Sequence, residues 1–200
     1  IENIWVQPAA GDAGGSLGAA LAYWHQELGN KRFINQKDSM RGSFLGPKFN
    51  ENVVETELKN LKAKFKKLDF NDLYKVVADN LSKQKTVGWF QGRMEFGPRA
   101  LGARSILADP RSDKMQKELN IKIKFRESFR PFAPSILSED INEWFEFNEK
   151  SPYMLMVAQI KSNLRILPSE KDKNLFGIDK LNLKRSLIPA VTHIDYSARI

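Results

Sequence analysis

The sequence predicts an α/β fold, because short runs of β-forming residues alternate along the chain with segments of helical periodicity. Apolar residues recur at helical spacing in the stretch that ends near Leu81, and a compact β-type run follows at residues 86–91. The 200 residues are 42% hydrophobic and 28% charged, an ordinary globular composition. No apolar run approaches the roughly 20 residues needed to cross a bilayer. The composition is therefore not that of a disordered or membrane-spanning chain.

The first 48 residues are predicted to form a strand at residues 3–6, a turn of small residues and a helix at about 16–28. Gly29 follows that helix as the residue expected beyond a C-terminus. Residues 31–48 lack periodicity and contain glycine and proline, which is typical of a connection between domains. The chain opens in what reads as the middle of an element, without an initiator methionine. We therefore expect a fragment of a longer protein, with a domain boundary near residue 48.

The next segment is predicted to start with a helix capped by Asn50, because apolar residues recur at helical spacing from Val53 to Leu61. The remaining predicted elements continue the alternation: a helix at residues 71–82, strands at 86–91 and 105–108, a helix from Ser112 or Asp113 to about Asn120, a strand at 132–137, a short helix at 140–145 and a strand at 154–160.

Charge and cysteine content limit the function. The net charge of +8 favours anionic partners, and nucleic acid, membrane headgroups and phosphorylated metabolites all satisfy that condition. The absence of cysteine excludes disulfides, cysteine-ligated zinc and thiol catalysis, and it fits a reducing cytoplasm. The placement of the positive charges must decide between the anions.

The string GPRALGARS at residues 97–105 combines arginines with glycines. An arginine presents a planar fork of donors that suits phosphate oxygens, and a neighbouring glycine lets backbone amides approach the same ligand. Pro98 fixes the turn, and Arg99 and Arg104 could point into one pocket. A glycine-proline turn with surface arginines is the alternative interpretation.

A second basic group at residues 124–135 interleaves cations with aromatics. If this segment were a strand, Lys124, Arg126 and Arg130 would share one face, opposite Phe125 and Phe129. The strand would then place its aromatics in the core and its cations along a cleft. The same alternation suits RNA binding, in which cations meet phosphates and aromatics stack on bases.

These two segments carry a family resemblance. The strings KTVGWFQGRMEFGPRALGARSILADPR at 85–111 and IKIKFRESFRPFAPS at 121–135 closely resemble the C-terminal domain of the NodU/CmcH family of carbamoyltransferases. SPYM at 151–154 and IPAVTHID at 188–195 are further family-like pieces. The resemblance implies a YrdC-like domain, a twisted mixed sheet with flanking helices, over residues 49–200 and incomplete at its C-terminus. Such a domain binds carbamoyl phosphate and ATP and forms carbamoyl-adenylate.

The resemblance also implies site residues. Lys124, Arg130 and Arg99 are expected to hold the phosphate and carbamoyl groups. Further residues are expected to contact the ligands: Gly97, Arg104, Ser105, Arg126, Ser135, His193 and Arg199. A structural hydrogen bond is the alternative role for His193. Residues 195–199, DYSAR, resemble the family pattern DGTAR, so Tyr196 stands where glycine is usual. A position that needs a positive φ would tolerate this tyrosine poorly.

Residues 7–21, QPAAGDAGGSLGAAL, look like the end of the actin-like (ASKHA) domain that precedes this domain in the same family. By that resemblance Asp12 is a metal ligand, for iron or a similar ion, whose other ligands are histidines upstream of Ile1. The adjacent glycines would approach nucleotide phosphates near a helix N-terminus, and magnesium would accompany ATP. Without the resemblance, Asp12 reads as a residue of a turn or of a helix N-terminus.

The expected function is ATP-dependent O-carbamoyl transfer to a hydroxyl group of a sugar, an antibiotic core or another secondary metabolite. A homodimer is one possible assembly, and neither a membrane nor a nucleic acid is an expected partner. Two alternatives remain open: an RNA-binding module that uses the same basic cleft, and an enzyme that forms threonylcarbamoyl-adenylate for tRNA modification. The second ranks lower because both basic strings resemble the carbamoyltransferases more closely.

Overall fold

A computed structural model describes residues 6–34 and 37–200 of the chain. Contacts divide it into two units. The first comprises the described residues up to Lys75 together with Gly88–Ile106, and the second comprises Val76–Val87 and Leu107–Ile200. Residues 3–5 of the predicted first strand lie outside the described residues. The predicted domain boundary near residue 48 concerns two domains of a longer protein and stays a prediction.

Helices and small sheets combine in the α/β manner that the sequence predicts. The helices are α1 (Asp12–Ala22, continued by a π-helical turn at Tyr23–Glu27), α2 (Glu51–Asn60), α3 (Phe70–Ser82), α4 (Met115–Lys122), α5 (Ile141–Trp144) and α6 (Gly177–Leu181). The strands are β1 (Val87–Phe90), β2 (Arg104–Leu107), β3 (Val157–Gln159) and β4 (Ser197–Arg199). Within the described ranges no helix is long and apolar enough to cross a membrane.

The predicted cap of α2 is confirmed. The Oδ1 atom of Asn50 accepts a hydrogen bond from the Val53 amide at 2.9 Å and so satisfies one of the amides that the first helical turn leaves without a partner. Glu51 lies in the same first turn, and Lys59 in the last turn, where each charge complements the helix dipole. Local side-chain chemistry therefore explains both ends of this helix.

The described strands form two two-stranded sheets. In one, β1 pairs with β2. In the other, β3 pairs with β4 in antiparallel register, so that Ala158 lies opposite Ala198. Both alanines are buried in this second sheet, on the face that carries the core. The larger mixed sheet of a YrdC-like domain stays a prediction.

The principal core lies in the second unit, against the sheet of β3 and β4. Ile160 is 0% exposed and Phe145 is 1% exposed, and they pack with Ile141 from α5. Phe132 and Ile136 pack against this cluster as half-buried neighbours. The short elements are therefore held in place chiefly by apolar side chains from several stretches of the chain, because α5 and the two strands are too short to be stable alone.

The predicted strand at residues 132–137 is wrong. This stretch has no regular structure. Pro131 and Pro134 lack the amide hydrogens that a sheet ladder would use, and the side chains of Phe132 and Ile136 reach the core from an irregular backbone. The apolar side chains that suggested a strand are therefore packed against the core without forming one.

Replacing Ile160 with alanine is expected to lower the free energy of unfolding by about 2–5 kcal/mol, because the side chain is fully buried and its removal leaves a cavity. Val157→Ala in the neighbouring strand is the matched control, since Val157 is 57% exposed and should cost less than about 1 kcal/mol. Urea unfolding measures both variants. Equal losses would contradict the assignment of the core.

Candidate functional site

A buried carboxylate shapes the first arginine-rich loop. Glu95 is 7% exposed, and its Oε1 atom accepts hydrogen bonds from the backbone amides of Leu101 at 2.7 Å, Ala103 at 2.7 Å and Arg104 at 3.2 Å. Three amides converging on one oxygen force the backbone between Leu101 and Arg104 to curl around the carboxylate. The loop that was predicted to bind an anionic ligand therefore folds around the carboxylate of Glu95.

The pKa of Glu95 lies below its usual value. Burial is the largest single influence and raises the pKa, but backbone hydrogen bonds from the amides of Leu101, Glu95 itself, Ala103 and Arg104 together outweigh it. The carboxylate is thus ionised at neutral pH and accepts all three loop amides as a charged group, which strengthens each hydrogen bond.

The two arginines of this loop have different surroundings. The guanidinium of Arg104 stacks 3.4 Å from the centroid of the Phe90 ring, and its Nη1 atom donates to the carbonyls of Gln91 at 2.9 Å and Ala103 at 2.8 Å. Its hydrogen-bonding capacity is largely used within the loop. Arg99 is exposed, and no hydrogen bond or ion pair holds its guanidinium among the described residues. Of the two, Arg99 is the one available to a ligand.

Glycine is required at two positions of the loop. Gly97 has φ 106° and Gly102 has φ 103°, both in the left-handed region that side chains rarely adopt. A Cβ atom on Gly97 would also lie 2.7 Å from the Cβ of Ala9. The Gly102 amide donates to the Oγ atom of Ser105 at 3.0 Å, so Ser105 stabilises the turn.

The second basic segment is not a strand, so the predicted separation of cations and aromatics on opposite faces is wrong. Helix α4 continues to Lys122, and the chain then turns. Phe125 adopts φ 49° and is 85% exposed, and Phe129 is 44% exposed, so neither ring is buried in the core. The alternation in the sequence does not persist in space, because α4 ends at Lys122 and the following residues form turns and bends.

Asn120 organises this turn as Glu95 organises the first loop. It is 0% exposed, and its Nδ2 atom donates to the carbonyls of Ser128 at 3.1 Å and Arg130 at 2.8 Å. Its Oδ1 atom accepts from Nε of Arg126 at 2.6 Å. The buried amide thereby uses both donors and its acceptor, as a buried polar group must, and it ties both sides of the turn to the end of α4.

The three cations of this turn are held to different degrees. Arg126 is fixed by Asn120 and lies over the Phe132 ring at 5.1 Å. Arg130 forms an ion pair with Glu127, from Nε to Oε2 at 2.8 Å, but both side chains are about half exposed. Lys124 is exposed, and its ammonium group has no partner within residues 6–34 and 37–200. Ser135 is exposed on the irregular stretch that follows.

His193 takes part in a tight turn before β4. Its Nδ1 atom lies 2.9 Å from Oγ of Ser197, and that hydroxyl donates to Oδ1 of Asp195 at 2.7 Å. Burial is the main cause that lowers the pKa of His193; Asp195 opposes it and Arg199 adds to it. The pKa of Asp195 is lowered chiefly by the Ser197 hydroxyl. The structural hydrogen bond weighed for His193 is present, and a ligand role for it stays a prediction.

Tyr196 occupies this turn with φ 64°. The position therefore has the left-handed backbone for which the family pattern uses glycine, and the tyrosine adopts it. Its carbonyl accepts a hydrogen bond from the Ile160 amide at 2.9 Å, which ties the turn to the core. Arg199 follows in β4 opposite Val157 and is half-buried.

Asp12 begins α1 and is exposed. No group of three or more histidine, aspartate or glutamate side chains in the described part of the chain could hold a metal ion. The residues present therefore do not complete a metal site around Asp12, and its role as a ligand stays a prediction that depends on side chains elsewhere.

The predicted site residues fall into two sets. The first unit contains Asp12, Gly97, Arg99, Arg104 and Ser105, and the second contains Lys124, Arg126, Arg130, Ser135, His193 and Arg199. Sequence reasoning missed the two residues that organise the loops, Glu95 and Asn120. The one available signal was a single acidic residue inside an arginine-glycine string.

Glu95→Gln is expected to destabilise the protein by roughly 1–2 kcal/mol at pH 7, because neutral hydrogen bonds replace charge-assisted ones. Since the folded-state pKa is depressed, the stability from the ionised carboxylate is present above the unfolded pKa of about 4.3 and is lost as the pH falls through the lower folded value. The difference between wild type and variant should therefore narrow below about pH 4.

Urea unfolding across an acid pH series measures this difference. Glu57→Gln, a change of an exposed glutamate on α2, is the control and should differ little from wild type at any pH. If the difference in free energy of unfolding between wild type and Glu95→Gln does not change with pH, Glu95 is not a buried, charged hydrogen-bond acceptor.

Asn120→Asp should destabilise the protein by about 1–3 kcal/mol, because a carboxylate oxygen would replace the donor that faces the carbonyls of Ser128 and Arg130. The shape of the side chain is conserved, so the loss reports on the hydrogen bonds. Asn148→Asp, at an exposed position, is the control. Equal denaturation midpoints for the two variants would show that the hydrogen bonds of Asn120 do not stabilise the turn.

Comparison with known proteins places these loops in a family. The model of a family described as Carbamoyltransferase C-terminus matches residues 78–200. An uncharacterized protein of Synechocystis sp. is 54% identical over 201 residues, covering 100% of this chain and 33% of that protein. Nodulation protein NolO of Bradyrhizobium diazoefficiens is 38% identical over 203 residues, with 100% and 33% covered. Nodulation protein NolNO of Sinorhizobium fredii is 37% identical over 203 residues, with 100% and 26% covered.

The chain thus spans a third or less of the length of these relatives, between 26% and 33%. The matched region includes β1, β2 and α4, the arginine loop built on Glu95 and the turn clamped by Asn120. Because the family model covers residues 78–200 of a 200-residue chain, the chain belongs to the carbamoyltransferase family, as a representative of its C-terminal region.

Proposed function

We propose that this chain binds carbamoyl phosphate and ATP and forms carbamoyl-adenylate, within a protein that transfers the carbamoyl group to a hydroxyl. Family membership supports the carbamoyl chemistry. The observation that carries the proposal is that two basic loops, each held by a buried polar side chain, present exposed cations, Arg99 in one and Lys124 in the other.

The proposed reaction brings anions together. Water cleaves carbamoyl phosphate into carbamate and inorganic phosphate, and a carbamate oxygen then attacks the α-phosphorus of ATP. The bond from that phosphorus to the bridging oxygen breaks, and pyrophosphate leaves with its electron pair. Both steps collect negative charge on phosphate oxygens, so fixed cations and oriented donors contribute more than a nucleophilic side chain would.

The loops suit this requirement because some of their cations stabilise the loop backbone and others are left exposed for a ligand. Arg104 and Arg126 are used in hydrogen bonds to their own loops, which stiffens each backbone. Arg99 and Lys124 keep their donors for a ligand. Arg130 is intermediate, since its ion pair with Glu127 is exposed to solvent, contributes little to stability and exchanges readily for a phosphate.

Metal and acceptor are parts of the same proposal. Magnesium would arrive with ATP and neutralise phosphate charge. The iron-type site implied for Asp12 is not completed by the described residues, so no step here depends on it. The acceptor is proposed to be a small molecule with a hydroxyl group. The name nodulation protein belongs to NolO and NolNO, and nothing more specific is carried over from it.

Lys124→Ala is expected to reduce carbamoyl-adenylate formation at least tenfold, because it removes a cation proposed to stabilise developing phosphate charge, and Arg99→Ala tests the first loop in the same assay. Lys117→Ala is the matched control, since Lys117 is an exposed lysine on α4 with no ion pair among the described residues. The assay follows pyrophosphate release that depends on carbamoyl phosphate, together with urea unfolding to check that the variants fold. Wild-type activity in Lys124→Ala and Arg99→Ala would refute the role given to these two cations. No binding of carbamoyl phosphate or ATP to the wild type by calorimetry would refute the proposal itself.

The same assay separates the alternatives. Release of pyrophosphate with bicarbonate and threonine in place of carbamoyl phosphate would indicate a threonylcarbamoyl-adenylate enzyme. The exposed rings of Phe125 and Phe129 beside Lys124 are the feature that an RNA-binding surface would share. RNA affinity that falls steeply with salt, with no saturable site for small phosphates, would favour that function instead.

A further inference from the structure

A cavity of about 320 Å³ lies in the second unit. Its walls come from the stretch between residues 166 and 185 and from the turn before β4, which contributes Ile194 and Tyr196. Ile166, Leu167 and Leu183 supply apolar surface, and Lys173, Lys180 and Lys184 supply positive charge. The volume is that of a site for a small molecule.

The wall of this cavity is held by defined hydrogen bonds. Arg165 and Ser186 form an antiparallel bridge, and the Ile166 amide donates to the Arg185 carbonyl at 2.7 Å. The guanidinium of Arg185 is buried and donates to the carbonyls of Leu181 at 3.1 Å and Leu183 at 2.9 Å, just beyond α6. The buried arginine thus satisfies carbonyls that the end of this short helix leaves without partners.

Tyr196 adds a strained aromatic side chain to the lining. A tyrosine at φ 64° adopts a left-handed backbone that is strained for any residue with a side chain and unstrained for glycine. The guanidinium of Arg165 lies 5.6 Å from the centroid of its ring, and Tyr196 lines the same cavity as Arg185, whose pKa is lowered by burial. A ring held against an unfavourable backbone at the edge of a cavity indicates a use for the ring.

The cations of the lining can respond to a ligand. Lys180 is exposed, and its ammonium group makes no ion pair with any residue the structure describes. Lys173 pairs with Glu170, and Lys184 pairs with Asp113, but all four side chains are at least 43% exposed. Asp172, the acidic residue of the lining, accepts hydrogen bonds from the amide and hydroxyl of Ser169. The net charge facing the cavity is therefore positive.

We propose that this cavity binds a small organic phosphate, with the apolar body against Tyr196 and the aliphatic wall and the phosphate at Lys180, Lys173 and Lys184. Lysine suits this role as a flexible point charge. An inorganic anion would leave the aromatic and aliphatic lining unused, whereas a neutral apolar molecule would leave the lysines unused. The lining shares no residue with Arg99, Lys124 or Arg130, which are expected to hold the phosphate and carbamoyl groups of the proposed reaction.

Phenyl phosphate is the probe, compared with inorganic phosphate and phenol by isothermal calorimetry on the full-length protein. Saturable one-to-one binding is expected for phenyl phosphate. Its affinity should be at least tenfold higher than that of inorganic phosphate or of phenol. Lys180→Gln should weaken it about fivefold to tenfold. Lys171→Gln, a neighbouring exposed lysine outside the lining, should leave it unchanged.

Tyr196→Gly tests the ring separately. Glycine adopts φ 64° without strain, so this variant is expected to fold, and it should lose most of the preference for phenyl phosphate over inorganic phosphate. The proposal is overturned if wild-type protein shows no saturable binding, if Lys171→Gln weakens binding as much as Lys180→Gln, or if Tyr196→Gly keeps the full preference.

Lys124→Ala distinguishes this proposal from the proposed function. It should reduce adenylate formation at least tenfold while phenyl phosphate still binds. If phenyl phosphate binding is lost with it, the probe occupies the adenylate-forming site and the cavity proposal is overturned. If wild-type protein forms no adenylate while phenyl phosphate still binds, the proposed function fails and the cavity proposal stands.

Discussion

The carboxylate of Glu95 is the interaction on which the first loop depends. A buried charge is unfavourable unless hydrogen bonds replace its lost hydration, and here three backbone amides do so. The same bonds fix the backbone from Leu101 to Arg104, and the left-handed glycines at 97 and 102 let the chain reach that path. A loop that could have been mobile is thereby held by one side chain, and the directions of its arginines follow from the path of the backbone.

Asn120 solves a similar problem with a neutral group. Its amide replaces hydration by accepting from a guanidinium and donating to two carbonyls. The two loops therefore share a principle: a buried polar side chain satisfies backbone groups, and one arginine of each loop helps to stiffen it. This division explains why adjacent arginines are not equivalent. Arg104 and Arg126 belong to the architecture, while Arg99 and Lys124 extend from it.

Sequence patterns predicted those parts of the fold that depend on local chemistry. The cap by Asn50 and the apolar spacing behind α2 and α3 are local, and both helices are present. The strand at residues 132–137 was wrong because two prolines cancel the β preference of their apolar neighbours. The strand through Lys124 was wrong because the periodicity of Phe125 and Phe129 carries no information about Asn120, whose contacts are made only when the chain has turned. Glu95 was missed because its partners are backbone amides. Every residue except proline has one, so no sequence pattern marks the partners of this carboxylate.

Tyr196 shows how a familiar pattern can preserve geometry while changing chemistry. Where glycine is usual, the left-handed backbone requires no side chain. Here the same φ is kept, as the hydrogen bond from the Ile160 amide to the Tyr196 carbonyl demands, and a ring is added to the lining of the cavity. The turn also carries His193, Asp195 and Ser197, whose hydrogen bonds hold it against β4. Those bonds offset the strain, because a turn fixed on both sides cannot relax by moving its backbone. The tyrosine is therefore tolerated through its neighbours, and its ring is the part of this segment free to acquire a role of its own.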